Sequence, residues 1–341
     1  MMHNPVMVEV SRGGQVESRH IGSVAVCDAQ GAMVMALGDI DRPVFPRSAV
    51  KALQALPLLE SGAAQRLGLD DAEIALACAS HSGEPRHAAS ALAMLAKAGQ
   101  DLSALECGTH WPTGEKAARA LATSGGQPCA LHNNCSGKHA GFICLACASD
   151  EKPQGYVQPG HFVQREVKAA LEGMCGVALD ASHMGIDGCS IPTFAVPLRA
   201  LAQGFARFGT GHGLAPARAA AAARIRASVA AHPFMVAGTG RFDTDVMLAL
   251  GARAFVKTGA EGVYCAAFPE LGFGMALKMA DGTGRAAEAV MAALIARFLP
   301  LSEAEQAAMA RRLEPRLVNW NGIEVGRIKA VLPENAAFPA R

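Results

Sequence analysis

Arg42-Pro43-Val44-Phe45-Pro46-Arg47-Ser48-Ala49-Val50-Lys51 sets a serine and a lysine three residues apart, directly behind two prolines. Far downstream, Lys257-Thr258-Gly259 ends a short apolar run. Pro46 suits the start of a helix, and a spacing of three puts the Lys51 amine beside the Ser48 hydroxyl. Read as S-x-x-K and K-T-G, these segments are a recipe for activating a serine without histidine. The nearby amine takes the hydroxyl proton, and the K-T-G strand brings a second ammonium and a backbone N–H. A free lysine titrates near 10.4, so keeping one neutral near pH 7 needs roughly 4 kcal/mol from its surroundings. Burial and a second cation, Lys257 or Lys138, push in that direction. Either segment alone also describes a solvated helix face or a turn after a strand. Their order and local context favour the chemical reading.

Outward from this stretch the chain changes character. Val6–Val10, His20–Cys27 and Ala32–Gly38 read as an antiparallel meander punctuated at Gly13-Gly14 and Asp28–Gly31. Ser48 to Ser61 has helical apolar spacing through Val50, Leu53 and Leu56, with Pro57 expected to kink or shorten it. The Ala-rich middle predicts helices over 70–76, 85–98, 114–123, 137–148, 161–174, 192–208 and 216–231. Strands return at 254–257, 262–267 and 272–279, then a helix at 285–299 and a last strand near 325–331. Strands at both ends and helices between them predict an α+β fold. One antiparallel sheet would come from about 1–45 and 250–341, with a helical region over about 46–249, all in a single unit spanning 1–341.

Composition narrows the class. The 341 residues are 51% hydrophobic and 18% charged, with net charge +1, which is ample for a large core. No Lys/Arg-rich run appears, and two Trp with two Tyr make no stacking platform, so no nucleic-acid partner is expected. No apolar run is long enough to span a bilayer. Met1-Met2-His3-Asn4-Pro5-Val6 lacks the features of a signal peptide, so no membrane association and a cytoplasmic location are expected. The ten cysteines are then expected to be thiols. Cys144-Leu145-Ala146-Cys147 lies in an apolar run and reads as one face of a buried helix.

Five segments carry a resemblance: Pro46-Arg47-Ser48-Ala49-Val50-Lys51; Ala77-Cys78-Ala79-Ser80-His81-Ser82-Gly83-Glu84; Asn133-Asn134-Cys135-Ser136-Gly137-Lys138-His139-Ala140-Gly141; Gly185-Ile186-Asp187-Gly188-Cys189-Ser190-Ile191-Pro192; and Lys257-Thr258-Gly259-Ala260-Glu261-Gly262. Over nearly its whole length the chain resembles the class 3 L-asparaginases, the rhizobial-type asparaginase II family. More broadly it resembles the serine β-lactamase and penicillin-binding-protein superfamily, although Ser82 stands where that group carries Asn. The resemblance implies a β-lactamase-like fold and conversion of L-asparagine to L-aspartate and ammonia through a Ser48 acyl-enzyme. It implies two tandems, Ser48–Lys51 and Ser80–Lys257, and a homodimer.

By the same resemblance Ala260 offers an oxyanion N–H with that of Ser48, and His139 contacts substrate. Recognition of a small zwitterion needs both signs of charge: Arg47 is the candidate for the α-carboxylate, and Asp187 either pairs with the α-ammonium or orders a water. Spacing alone gives no standard zinc site; two buried thiols is the plainer reading. The resemblance instead implies zinc on Cys135, Lys138 and Cys189. Two rival functions stand beside this one: a β-lactam- or peptidoglycan-acting acyl-serine hydrolase, and a catalytically silent binding protein.

Overall fold

The computed structural model describes residues 4–333. The ends of the predicted 1–341 unit, with Met1-Met2-His3, lie outside the described residues. Eight strands form one antiparallel sheet: β1 Val6–Arg12, β2 Gln15–Asp28, β3 Met33–Leu37, β4 Phe255–Thr258, β5 Val263–Phe268, β6 Phe273–Met279, β7 Arg316–Val318 and β8 Glu324–Ala330. Their order is β7-β8-β1-β2-β6-β5-β4, with β3 also on β2. Gly13 and Gly14 both take positive φ, the geometry of a tight hairpin turn. The 14 residues of β2 pair with β1 early and β6 late, as in Val8 with His20 and Met275 with Val26. The two chain ends therefore build one sheet, the α+β arrangement expected.

Helices fill the middle, and their ends follow local chemistry. Asp70 and Glu73 form a reciprocal capping box at Asp71–Ala77. Pro85 and Pro216 open Pro85–Lys97 and Pro216–Ala231. The predicted helix over 192–208 begins late. Pro192–Phe194 and Val196–Pro197 are short strands, and the helix is Leu198–Thr210. Pro197 explains this: the residue before a proline is pushed out of helical geometry. Phe242–Leu250 and Glu303–Leu313 are helices that the pattern reading missed.

Two close approaches position the site. A Cβ on Gly137 would lie 2.5 Å from the Leu76 carbonyl oxygen. Glycine thus lets the Ser136–Ala148 helix press on Asp71–Ala77, whose exit leads to Ser80. A Cβ on Gly259 would lie 2.4 Å from the Pro46 carbonyl, so the strand end at Thr258 sits directly against the turn bearing Ser48.

Candidate active site

Ser48 lies in a one-turn 3-10 helix, Arg47–Val50, which passes into Lys51–Gln54; Leu56–Glu60 follows with Pro57 in its first turn. The single helix expected over 48–61 is thus broken where Pro57 predicted. Arg47 has φ +52°, costly for a residue with a side chain and typical of constrained sites. The Lys51 N–H donates to the Ser48 carbonyl.

A cavity of about 400 Å³ opens here. Its lining brings Ser48, Ser80, Asp187, Arg241 and Ala260 together from five distant segments. Lys51, Lys138 and Lys257 lie within the protein at 2% exposure or less. The Ser48 and Ser80 hydroxyls make no hydrogen bond among the described residues, and the backbone N–H groups of Ser48 and Ala260 donate none.

The lysines have definite partners, and they are not the seryl hydroxyls. Lys51 Nζ donates to the Ala79 carbonyl at 2.5 Å and lies 3.1 Å from Cys135 Sγ. Lys257 Nζ donates to the Thr258 carbonyl at 3.1 Å and stands 3.7 Å from Asp243 Oδ2. Burial pushes the Lys257 amine down to about 8; Asp243 opposes this, and the neighbouring Lys51 and Arg241 cations reinforce it. Asp243 also takes the Thr258 N–H at 3.3 Å and the Tyr264 hydroxyl, so it fixes the K-T-G strand and its lysine together. Sequence reading missed Asp243 because the helix that carries it was missed. The signal was Asp243 and Asp245 in its first turn.

The expected substrate charges are present, but Arg47 and Asp187 bind each other. Asp187 Oδ1 takes Arg47 Nε at 2.8 Å, Arg47 Nη2 at 2.7 Å and the Gly188 N–H at 2.7 Å. Although burial opposes it, Lys138 and Arg47 hold the Asp187 carboxyl below its usual range. His139 does not line the cavity. Its buried ring accepts at Nδ1 from the Tyr156 hydroxyl, 2.6 Å away, while the Tyr156 oxygen accepts from the Glu106 N–H. His81 is a hydrogen-bonded interior residue, between Ser136 Oγ at 3.0 Å and the Gly83 N–H.

A family model, L-asparaginase II, matches residues 8–330. The chain belongs to the L-asparaginase II family. No curated protein matches the chain at a significant level. Among solved structures, one of Mglu is 15% identical at TM-score 0.36, covering 81% of this chain and 66% of its own. A second, of native Mglu, is 15% identical at TM-score 0.36, covering 87% and 69%. A β-lactamase from Mycobacterium bovis is 13% identical at TM-score 0.33, covering 82% and 95%. The chain thus spans about two thirds of the Mglu chains, and overlaps this shallow carry no argument about activity.

Membership in the L-asparaginase II family supports an asparaginase-type amidohydrolase in general. It also gives the sulfur cluster a context. Lys138 Nζ is 3.0 Å from Cys189 Sγ. A hydrogen bond from Cys189 holds the Cys135 thiol well below its ordinary range; burial opposes this, and Lys51 and Lys138 assist. Donating that bond and being buried push Cys189 up. Burial lowers the Lys138 amine, but the two sulfurs outweigh it and raise it. Among the described residues no three His, Cys, Asp or Glu side chains gather into a metal cluster. The donors that do converge are two sulfurs and one amine, a soft set that fits a thiophilic dication once Lys138 gives up its proton. The other cysteines are different: burial pushes Cys78 and Cys144 up to about 12, so they are inert interior thiols. Cys144 is buried as expected for one helix face, while Cys147 is only partly covered.

Proposed function

We propose that this protein releases ammonia from L-asparagine through an ester on Ser48. The observation that carries this reading is the closure of the K-T-G strand on the Ser48 turn. It leaves two open hydroxyls, two undonated N–H groups and two buried lysines around one cavity. In the first half-reaction Ser48 Oγ attacks the side-chain amide carbon as its proton passes to Lys51, which turns from the Ala79 carbonyl to reach it. The amide oxygen, now an oxyanion, is held by the N–H groups of Ser48 and Ala260. Ser80 and Lys257 deliver a proton to the departing nitrogen, the C–N bond breaks, and ammonia leaves. In the second half a water loses its proton to the same relay and attacks the ester carbon. The C–O bond to Ser48 breaks, Oγ is reprotonated, and L-aspartate is freed.

Zinc belongs to the same proposal, with Cys135, Lys138 and Cys189 as its ligands. When bound, it would supply fixed positive charge beside the cavity and hold both sulfurs as thiolates. Removal by a chelator is expected to lower the melting temperature reversibly, restored by zinc; an unchanged melting temperature with no zinc found in the protein argues against the site.

The functional test is ammonia release from L-asparagine, with L-glutamine alongside, and intact-mass detection of an ester on Ser48 after rapid acid quench. One extra methylene is worth about 1–3 kcal/mol, so slower glutamine turnover is compatible. Absence of ammonia from both amides would remove the reading.

A further inference from the structure

Arg47, Asp187 and Arg241 are the ionic side chains among the residues lining the cavity, His110 aside. The first two neutralise one another. Arg241 has no hydrogen bond from its guanidinium and no ion pair among the described residues. The acids near it are committed elsewhere. Asp243 serves Thr258, Tyr264 and Lys257. Asp245 binds Arg311 and Arg312, each at 2.6 Å. Glu288 lies 3.8 Å from Arg312, and Glu84 takes the Thr239 N–H and hydroxyl at 2.7 and 2.8 Å.

The backbone on either side of this cation is nonetheless held firmly. Ser82 Oγ donates to the Ala237 carbonyl at 2.9 Å, and Arg312 Nη2 donates to the Gly240 carbonyl at 2.7 Å. A fixed loop thus presents a guanidinium with no hydrogen-bonded or ion-paired partner, only the more distant charge of Glu288, to a cavity that already has two buried lysines behind it. Such a cation repels its neighbours unless an anion joins it. The planar fork of arginine suits a carboxylate. On the opposite charge, Asp187 Oδ1 receives all three protein donors and Oδ2 receives none.

We propose that Arg241 anchors the substrate's α-carboxylate, and that Arg47 is a positioning residue that aims Asp187 Oδ2 at the α-ammonium. The site is thereby specific for amides of free α-amino acids. This rests on the amidohydrolase reading above and replaces the substrate role that the sequence assigned to Arg47.

The test compares wild type, Arg241→Met and Arg241→Lys on L-asparagine and on its α-methyl ester, reading ammonia from the side-chain amide. L-Aspartate binding by calorimetry is a second readout. Loss of a charge-assisted pair predicts a rise in KM for asparagine of about 10- to 100-fold in Arg241→Met. The change in kcat should be smaller, rescue by lysine partial, and ester turnover about equal in the two proteins. L-Aspartate binding should weaken in parallel. An Arg241→Met protein within about twofold of wild type on asparagine overturns the assignment. So does an equal loss on asparagine and ester, which marks a structural role. If wild type releases no ammonia, the amidohydrolase reading falls, and aspartate binding still decides the anchor. Weaker binding in Arg241→Met upholds it; unchanged or undetectable binding in both proteins overturns it.

Discussion

Lys257 carries a direct pH signature. In the ammonia-releasing half-reaction it delivers a proton, so it works when protonated, and its amine titrates at about 8. The protonated fraction falls as pH rises, so kcat/KM for asparagine should be level below an apparent pKa near 8 and decline above it. Asp243 raises the Lys257 value, so Asp243→Asn should move that limb to lower pH, and Lys257→Met should abolish it together with most turnover. A limb at the same pH in Asp243→Asn would detach the profile from this lysine. The residues themselves were largely readable. Ser48, Ser80, Asp187 and Ala260 line the cavity as their motifs suggested, Cys135 and Cys189 line it too, and the buried Lys51, Lys138 and Lys257 gather behind it. The bonding was not readable. Spacing puts the Lys51 amine near Ser48, but a carbonyl and a thiol in the interior hold it instead, and only packing decides between such partners.

At the scale of elements, the site depends on Gly259. Its missing side chain admits the Pro46 carbonyl, so Gly259→Ala must move either the strand end or the Ser48 turn. Overpacking of this kind costs about 1–3 kcal/mol, and turnover should fall with stability in a urea melt. Asp70→Ala is the contrasting case. Removing one arm of a capping box should cost about 1 kcal/mol and leave KM for asparagine unchanged; a raised KM would show that this helix start reaches the site. The longer strands of the sheet were legible to within about five residues because alternation and glycine turns are local signals, whereas the three-residue edge strand Arg316–Val318 was missed. The Phe242–Leu250 helix was not. It is short and apolar on most sides, and buried tertiary contacts rather than a periodic face define it. With it Arg241 and Asp243 went unnoticed.

For the whole molecule, the site is assembled from segments that meet only after folding, and two histidines help join them. His81 bonds Ser136, and His87 bonds the Phe234 carbonyl at 3.0 Å, the two rings stacked 4.7 Å apart. Burial, and then neighbouring charge on His81, lowers both below the ordinary histidine value. The unfolded chain therefore binds protons that the folded one refuses once pH falls below about 6.5. Stability should be fully present above that value and decline beneath it, by up to about 1.4 kcal/mol per pH unit for each ring. Urea midpoints between pH 5 and 8 should show this fall, shallower in His87→Gln; a slope unaltered by that substitution would assign it to other groups. At this scale the antiparallel sheet from both ends was foreseeable, because strand patterns cluster at both ends of the sequence.

The account turns on Ser48 as the atom that attacks the amide, so the most direct measurement is ammonia release from L-asparagine by wild type and by Ser48→Ala at equal concentration. The account predicts turnover by wild type and a loss of at least about 1,000-fold in the variant, close to 4 kcal/mol of transition-state stabilisation. A Ser48→Ala protein within about tenfold of wild type would contradict it.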